Sequence, residues 1–153
     1  MDLFMQKAIK EAKIGISKNH GGPFGCVIVK DNKLIAKAHN QVLKNNDCTC
    51  HGEMVAIKKA CKKLQNFDLK NCILYTTNEP CPMCMGAILW SNIKTVYYGC
   101  TIHDAEDIGF RDEKFYGILD FNKSKINNLF QIDHKECLNL FLEYKNIKNK
   151  IIY

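Results

Sequence analysis

Arginine is nearly absent from this chain, since Arg111 is the single arginine among 22 basic residues. Arginine is the side chain that favours bidentate contacts to phosphates and base edges. The net charge of +6 therefore does not by itself predict a nucleic-acid surface. One group of lysines, at residues 58, 59, 62 and 63, is interleaved with apolar residues, which is typical of the solvated face of an amphipathic helix. A site for a polyanion is the alternative interpretation of that group.

Long apolar runs and a basic leader are missing as well. No stretch approaches the roughly 20 apolar residues of a membrane span, and the first residues combine an early acid, Asp2, with apolar residues at helical spacing. We therefore expect neither a membrane segment nor a secretory signal peptide. A length of 153 residues fits one compact domain.

Cysteine, in contrast, is abundant. The chain has nine cysteines, an odd number, and several lie beside apolar runs such as those that follow Cys26 and Cys72. Buried free thiols explain this distribution better than a framework of disulfides, which is typical of secreted proteins. We therefore predict a cytoplasmic protein.

Apolar residues alternate between helical and strand spacing along the chain. Helical spacing is found at residues 4–16, from about 51 to 64, from 81 to about 90, and from about 133 to 148. Strand patterns are found at residues 26–29 and 34–36, which flank a polar turn, and at 73–75 and 95–98. Strands that alternate with helices predict a single α/β domain, a three-layer α/β/α sandwich. Residues 101–120 are predicted to be irregular.

The most informative motif combines His-Gly-Glu at residues 51–53 with Cys-Pro-Met-Cys at residues 81–84. Structural zinc sites usually have four protein ligands, whereas catalytic sites keep one position open for water. His51, Cys81 and Cys84 supply three ligands, and Glu53 supplies a carboxylate that need not bind the metal. The motif predicts an open zinc site in which Glu53 acts as general acid and base.

The spacing of the two cysteines supports this prediction. Cys81 and Cys84 stand three residues apart at the start of a predicted helix, so both thiols project from one helix face. The partial positive charge of a helix N-terminus lowers the pKa of thiols and favours the thiolates that zinc requires. His51 starts another predicted helix, so two helix starts can meet at one ion.

A closed structural site is the alternative for the same region. Cys48 and Cys50 precede the motif, and with Cys81 and Cys84 they could form a zinc site with four thiolates. That arrangement would leave His51 without a role. We therefore favour the open site.

A His-x-Glu sequence followed by Pro-Cys-x-x-Cys is typical of zinc-dependent nucleobase deaminases. Zinc in such a site lowers the pKa of water to near neutrality, and Glu53 can pass the released proton to a ring nitrogen and then to the departing amine. The motif predicts hydrolytic deamination of a heterocycle with an exocyclic amine. It does not select the heterocycle.

Further segments accompany the zinc motif in a recognisable order. They are residues 21–25 (Gly-Gly-Pro-Phe-Gly), 39–40 (His-Asn), 46–47 (Asn-Asp), 79–88, 104–112 and the terminal Tyr153. On these segments the chain resembles the small bacterial guanine deaminases of the cytidine deaminase superfamily. The resemblance implies a cytidine deaminase-like sandwich with a mixed central sheet, one zinc ion per subunit, and conversion of guanine to xanthine and ammonia in purine catabolism or salvage.

The resemblance also implies roles for residues outside the zinc motif. Phe24 would stack on the purine, Asn40 would hydrogen-bond to its ring, and backbone groups of Gly52 would contact the base. Asp112 would be a second catalytic carboxylate beside Glu53. Alternatives stay open for three of them. Phe24 could be a core aromatic, Asn40 could bond within its own loop, and Asp112 could be a solvated carboxylate.

The C-terminal segment has an implied role of its own. Glu136 and Tyr153 would close the substrate pocket, and the segment from about residue 121 to residue 153 would cross to the partner in a domain-swapped homodimer. A glutamate that faces water and a frayed terminus are the alternatives.

Three other functions compete with guanine deamination. A tRNA adenosine deaminase uses the same zinc chemistry on a flipped or single-stranded base, but we expect such a protein to carry more arginine around an open pocket. A cytosine or nucleotide deaminase is the second rival. A structural zinc module that binds a partner is the third, and in it Glu53 would be dispensable.

Overall fold

The computed structural model describes residues 1–120, 122–126 and 128–153. In these residues, strands form one mixed sheet in the order β2-β1-β3-β4-β5. The strands are β1 (Gly25–Lys30), β2 (Lys33–His39), β3 (Cys72–Asn78), β4 (Thr95–Cys100) and β5 (Leu129–Gln131). The helices are α1 (Leu3–Ser17), α2 (Val42–Asn45), α3 (Gly52–Leu64), α4 (Pro82–Trp90), α5 (Ile102–Asp107), α6 (Asp112–Ile118) and α7 (His134–Lys145), with a 3₁₀ turn at Lys123–Lys125.

The direction of the strands determines where a site can form. β1 pairs antiparallel with β2 and β3, whereas β3 with β4 and β4 with β5 are parallel. The predicted hairpin is confirmed, because Asp31 and Asn32 connect β1 to β2 with φ of 49° and 56°, the two left-handed residues that a tight hairpin turn needs. Since β1 runs opposite to both neighbours, β2, β3 and β4 end at the same side of the sheet. We call this side, marked by His39, Asn78 and Cys100, the carboxyl edge.

Helices cover both faces of the sheet, which confirms the predicted three-layer sandwich. Side chains alternate along β1, so Val27 and Val29 belong to a core cluster with α1 and α7, whereas Cys26 and Ile28 belong to a cluster with α3 and α4. Each cluster buries apolar surface that stabilises the fold by roughly 25 cal/mol per Å² removed from water. Each helix in the described part of the chain is too short or too polar to span a bilayer.

The prediction that residues 101–120 are irregular was wrong. Two short helices lie there, and α5 begins with a capping box in which Thr101 and Asp104 hydrogen-bond reciprocally at 3.2 and 2.8 Å. Gly109, at φ 102°, then reverses the chain direction before α6. Helices of six and seven residues show too few helical repeats to be recognised by apolar spacing. The three-residue strand β5 was not predicted for the same reason.

We expect Phe141→Ala to destabilise the fold strongly. Phe141 is fully buried and packs edge-on against Phe24 with ring centroids 5.6 Å apart. Its truncation leaves a cavity, for which we expect a loss of about 3–5 kcal/mol in the free energy of unfolding, measured by urea denaturation. Leu142→Ala, at a neighbouring side chain that is 46% exposed, is the control, and equal losses in both variants would contradict this assignment of the core.

Candidate active site at the carboxyl edge of the sheet

Two helices begin at the carboxyl edge and bring the zinc-motif residues together. His51 is the N-cap of α3 and Cys81 is the N-cap of α4, both with extended backbone. Pro82 occupies the first turn of α4, where the N–H that proline lacks has no helical partner to lose. Cys84 follows one turn after Cys81, so both thiols lie beside the His51 ring.

The distances between the donor atoms fit a zinc ion. The Nδ1 atom of His51 lies 3.6 Å from the Sγ of Cys81 and 3.6 Å from the Sγ of Cys84, and all three donors lie within 4.8 Å of one another. A tetrahedral zinc ion with bonds of roughly 2.0–2.3 Å holds a nitrogen and a sulfur ligand about 3.6 Å apart. Three protein donors leave one of four coordination positions without a protein ligand, as in catalytic zinc sites.

The alternative site with four thiolates is not assembled by these residues. The thiol of Cys50 donates a hydrogen bond to Oδ2 of Asp47 at 3.3 Å, and Cys48 is exposed. Neither belongs to the donor group around His51. The arrangement with three donors is the one that the fold builds.

The two thiols share a negative charge. A hydrogen bond from the Cys84 thiol, reinforced by His51, lowers the pKa of Cys81 to about 4. The same contact, together with burial, raises the pKa of Cys84. A dication between the two sulfur atoms would hold both as thiolates, the form in which cysteine binds metals.

Glu53 lies on the first turn of α3 and is 4% exposed. Its Oε1 accepts a hydrogen bond from the Oγ1 of Thr76 at 2.7 Å, and its Oε2 lies 3.5 Å from the Sγ of Cys84. Burial raises the pKa of Glu53, an effect that negative charge at Cys81 adds to and His51 opposes. A raised pKa makes the Glu53 carboxylate a stronger base, which suits a group that accepts a proton and passes it on.

Asp112 starts α6 and lines the same cavity as Glu53. Its Oδ2 accepts a hydrogen bond from the Nδ2 of Asn78 at 3.3 Å. Burial, followed by negative charge at Cys81, raises the pKa of Asp112 to about 7. The structure thus places the two predicted carboxyl groups at one cavity.

The cavity has a volume of ≈ 460 Å³, within the range of small-molecule sites, roughly 300–1,000 Å³. Phe24 lines it and is held by edge contacts to Phe110 at 4.7 Å and to Phe141 at 5.6 Å between ring centroids. Tyr153 lines it from the other end of the chain. The Tyr153 hydroxyl oxygen accepts a hydrogen bond from the Gly22 N–H at 2.8 Å, so the terminal residue is anchored at its own chain's cavity.

Asn40 and Gly52 are buried behind the cavity wall. The Oδ1 of Asn40 accepts a hydrogen bond from the Val42 N–H at 3.1 Å, whereas its buried Nδ2 has no hydrogen-bond partner in the described part of the chain. Gly52 packs so closely that an added Cβ would lie 3.2 Å from the carbonyl oxygen of Phe24. The Oδ1 of Asn40 thus bonds within its own loop, whereas Nδ2 is available as a donor.

Glu136 lies elsewhere. It is partly exposed on α7 and does not line the cavity of its own chain. Glu136 was predicted to close a substrate pocket as part of a C-terminal segment that crosses to the partner subunit. This role stays a prediction.

Sequence reasoning did not single out Asn78 and Phe110, which both line the cavity. Asn78 ends β3 at the carboxyl edge, the side of a parallel sheet where ligand-binding residues are commonly found. That position, two residues before Pro80-Cys81, was the signal that could have identified it. Phe110 gave no comparable signal, because it becomes a wall of the cavity only through the turn at Gly109.

Known proteins share this sequence and this fold. Residues 1–100 match the family model of the cytidine and deoxycytidylate deaminase zinc-binding region. The guanine deaminase of Bacillus subtilis (strain 168) is 42% identical over 153 residues, which cover 99% of this chain and 98% of that protein. Its X-ray structure, at the same 42% identity, matches with a TM-score of 0.75 and covers 100% of this chain and 99% of that one.

Two further relatives differ in the substrate that their names give. The structure of a guanine deaminase from Nitrosomonas europaea is 27% identical, with a TM-score of 0.79, and covers 94% of this chain and 84% of that one. The tRNA-specific adenosine deaminase of Aquifex aeolicus (strain VF5) is 43% identical over 97 residues, which cover 63% of this chain and 64% of that protein.

We expect one zinc ion per chain, and we expect Cys81→Ser and Cys84→Ser to lose it. Removing a ligand should weaken zinc binding by more than the roughly 10- to 100-fold that loss of an outer-shell partner costs. Zinc content after dialysis, measured by plasma mass spectrometry, tests this. Cys48→Ser and Cys50→Ser change thiols outside the donor group and should keep the metal. Loss of zinc from these controls would contradict the three-donor site.

Proposed function

Because this chain belongs to the cytidine and deoxycytidylate deaminase family, we propose that it hydrolyses guanine to xanthine and ammonia. The observation that carries the proposal is the cluster of three zinc donors at the wall of a cavity that Glu53 and Asp112 also line. The choice of guanine is supported by the Bacillus subtilis guanine deaminase, which is similar over 99% of this chain.

The residues of the zinc motif divide the chemistry between them. His51, Cys81 and Cys84 would hold the zinc ion, which when bound activates a water molecule for attack on the carbon that carries the amine. Glu53 would accept a proton from that water and deliver it to the adjacent ring nitrogen. It would then take the remaining proton from the hydroxyl group added to the carbon and pass it to the amine, which leaves as ammonia while the carbonyl forms. The hydrogen bond from Thr76 holds Glu53 Oε1, so Oε2 is the oxygen that exchanges the proton.

Residues around the cavity would bind the base. Phe24, fixed by two edge-on aromatic neighbours, offers its ring for stacking on the purine. The Nδ2 of Asn40, which has no partner within the described residues, can donate to an acceptor of the ring, and backbone groups of Gly52 would contact the base. Asp112 adds a second proton-exchanging group, and Tyr153 closes the cavity.

Deamination of adenosine in tRNA is the second candidate, because the Aquifex aeolicus relative is a tRNA-specific adenosine deaminase. Such a substrate requires a mouth wide enough to admit a flipped nucleotide still joined to its strand. Here the C-terminal residue lies against the cavity, hydrogen-bonded to Gly22 and packed on Phe110. This closure favours a free base.

Glu53→Gln should abolish ammonia release from guanine while zinc stays bound. The amide keeps the shape of the side chain but cannot carry a proton back and forth, so we expect a loss of at least roughly 100-fold in kcat. Ammonia release from guanine, cytosine, adenosine and tRNA is measured for the zinc-loaded wild type and for the variant.

Glu143→Gln is the matched control, because that side chain is exposed and pairs with Lys13. It should leave turnover unchanged. A wild type that releases ammonia from tRNA and not from guanine would replace the proposed substrate, and a fully active Glu53→Gln variant would contradict the mechanism.

An apolar surface supports a homodimer, which we propose as the assembly. α4 carries apolar residues on every side, a composition that is typical of a helix covered all round. Yet Leu89 and Trp90 at its end are 52% and 87% exposed, and neighbouring Phe67 is 78% exposed. A second subunit would cover this patch. The exchange of residues 121–153 between subunits concerns that second chain and stays a prediction.

Trp90→Lys should weaken the dimer. A charge at the centre of a buried apolar contact is costly to desolvate, and tryptophan is frequent among residues that dominate interfaces. Molar mass by size-exclusion chromatography with light scattering, over a range of concentrations, measures the effect. Leu3→Lys, at an exposed apolar residue on α1, is the control. A monomeric wild type would contradict the proposal.

The thiols support the proposed location in the cytoplasm. All nine cysteines are free, and six of them are buried. Free thiols persist in the reducing cytosol, whereas secreted proteins tend to pair them.

A further inference from the structure

Asn78 is a buried side chain at the reacting end of the cavity that the mechanism above does not use. It ends β3, is 2% exposed, and lines the cavity together with Glu53 and Asp112. Two of the zinc donors, His51 and Cys81, line the same cavity.

The orientation of this carboxamide is fixed by its neighbours. The Nδ2 of Asn78 donates to the carbonyl oxygen of Glu79 at 3.0 Å and to Oδ2 of Asp112 at 3.3 Å, which uses both of its N–H groups. The reversed amide would set its oxygen against two acceptors, a carbonyl and a carboxyl group. The hydrogen-bond network therefore places the amide nitrogen Nδ2 towards Asp112 and the oxygen Oδ1 away from these two acceptors.

The Oδ1 of Asn78 is buried and has no hydrogen-bond partner among the residues that the structure describes. Buried acceptors are paired in most proteins, because an unpaired one forfeits its hydration. Glu53 and Asp112, which line the same cavity as Asn78, carry carboxyl oxygens as well. This end of the cavity is therefore rich in acceptors and complements a molecular edge that is rich in N–H donors.

We propose that Asn78 selects the base, with its Oδ1 accepting a hydrogen bond from the ring N–H next to the carbon that carries the amine. The inference rests on the proposed function and specifies its substrate class as bases in which an amine and a ring N–H stand side by side. Guanine has this edge. In adenine and cytosine the ring nitrogen next to the amine carries no hydrogen, and its lone pair would face the Asn78 oxygen.

The test compares guanine with 2-aminopurine, which has the same amine on the same carbon but no hydrogen on that neighbouring ring nitrogen. The kcat/KM for ammonia release from each base is measured in the wild type and in Asn78→Leu, which removes both polar atoms at similar volume. Loss of the hydrogen bond to Asp112 affects both bases and cancels in the ratio of their kcat/KM values. We expect this ratio, guanine over 2-aminopurine, to fall by roughly tenfold or more.

Two other variants separate selection from packing. Asn78→Asp keeps an oxygen where Oδ1 stands, so the ratio should stay high even though the hydrogen bond to Asp112 changes. Cys100→Ala removes a buried side chain at the residue of β4 that pairs with Asn78, and it should leave the ratio unchanged. Thermal unfolding is recorded for every variant, and Asn78→Ala replaces Asn78→Leu if the larger side chain does not fold.

The outcomes distinguish a failure of the role proposed for Asn78 from a failure of the proposed deamination of guanine. Equal losses for both bases in Asn78→Leu or Asn78→Ala would overturn the selection role and leave Asn78 as a residue that positions Asp112. A folded, zinc-loaded wild type that releases no ammonia from guanine would overturn the proposed function, and the inference with it. A fall in the ratio confined to the variants that lack the oxygen supports the inference.

Discussion

The site depends on one electrostatic constraint, the burial of four acidic groups around a single point. Cys81, Cys84, Glu53 and Asp112 each lose hydration at the carboxyl edge, which disfavours their charged forms. Negative charge at Cys81 raises the pKa of both carboxyl groups further. The N-termini of two helices and His51 offset part of this cost, and a dication offsets far more because it attracts every one of these groups. The burial that raises the pKa of these carboxyl groups therefore also favours a dication at this point.

The sheet brings these acidic groups together because strand direction determines where the chain turns. Because β1 runs against its neighbours and β4 and β5 are parallel to β3, the other four strands end at the same edge, and helices begin there. The apolar clusters on both faces hold those helices in place, so the donors need no large rearrangement to meet. Phe141 shows the link between core and site, since it is fully buried and also supports the ring of Phe24.

Local patterns predicted a good part of this structure. The alternation in β1, the turn at residues 30–33 and the helix starts at His51 and Cys81 depend on neighbours in sequence, and periodicity and capping detect such features. α5 and α6 were missed because they are too short for a periodic pattern. The role inferred for Asn78 could not be predicted, since its carboxamide is oriented by Asp112, which approaches only after α5 and the turn at Gly109. The zinc donors were recognisable because metal chemistry restricts them to few residue types, whereas an asparagine serves many purposes.

The reaction and the choice of base are assigned to different residues, charged groups for the reaction and neutral carboxamides for the base. This division explains how one zinc motif can serve several substrates. In the proposed mechanism the zinc donors and Glu53 act on the carbon that carries the amine, which all the candidate bases share, so these residues would not discriminate between bases. Discrimination would then come from groups that contact the rest of the ring, for which we propose the carboxamides of Asn40 and Asn78. Each of them has one buried atom without a partner among the described residues. His51 and Arg111 are the two basic side chains among the described residues that line the cavity. Arg111 packs over the ring of Phe115, with its Cζ 5.2 Å from the ring centroid. A phosphate would find little to bind, whereas an uncharged base needs only stacking and neutral hydrogen bonds.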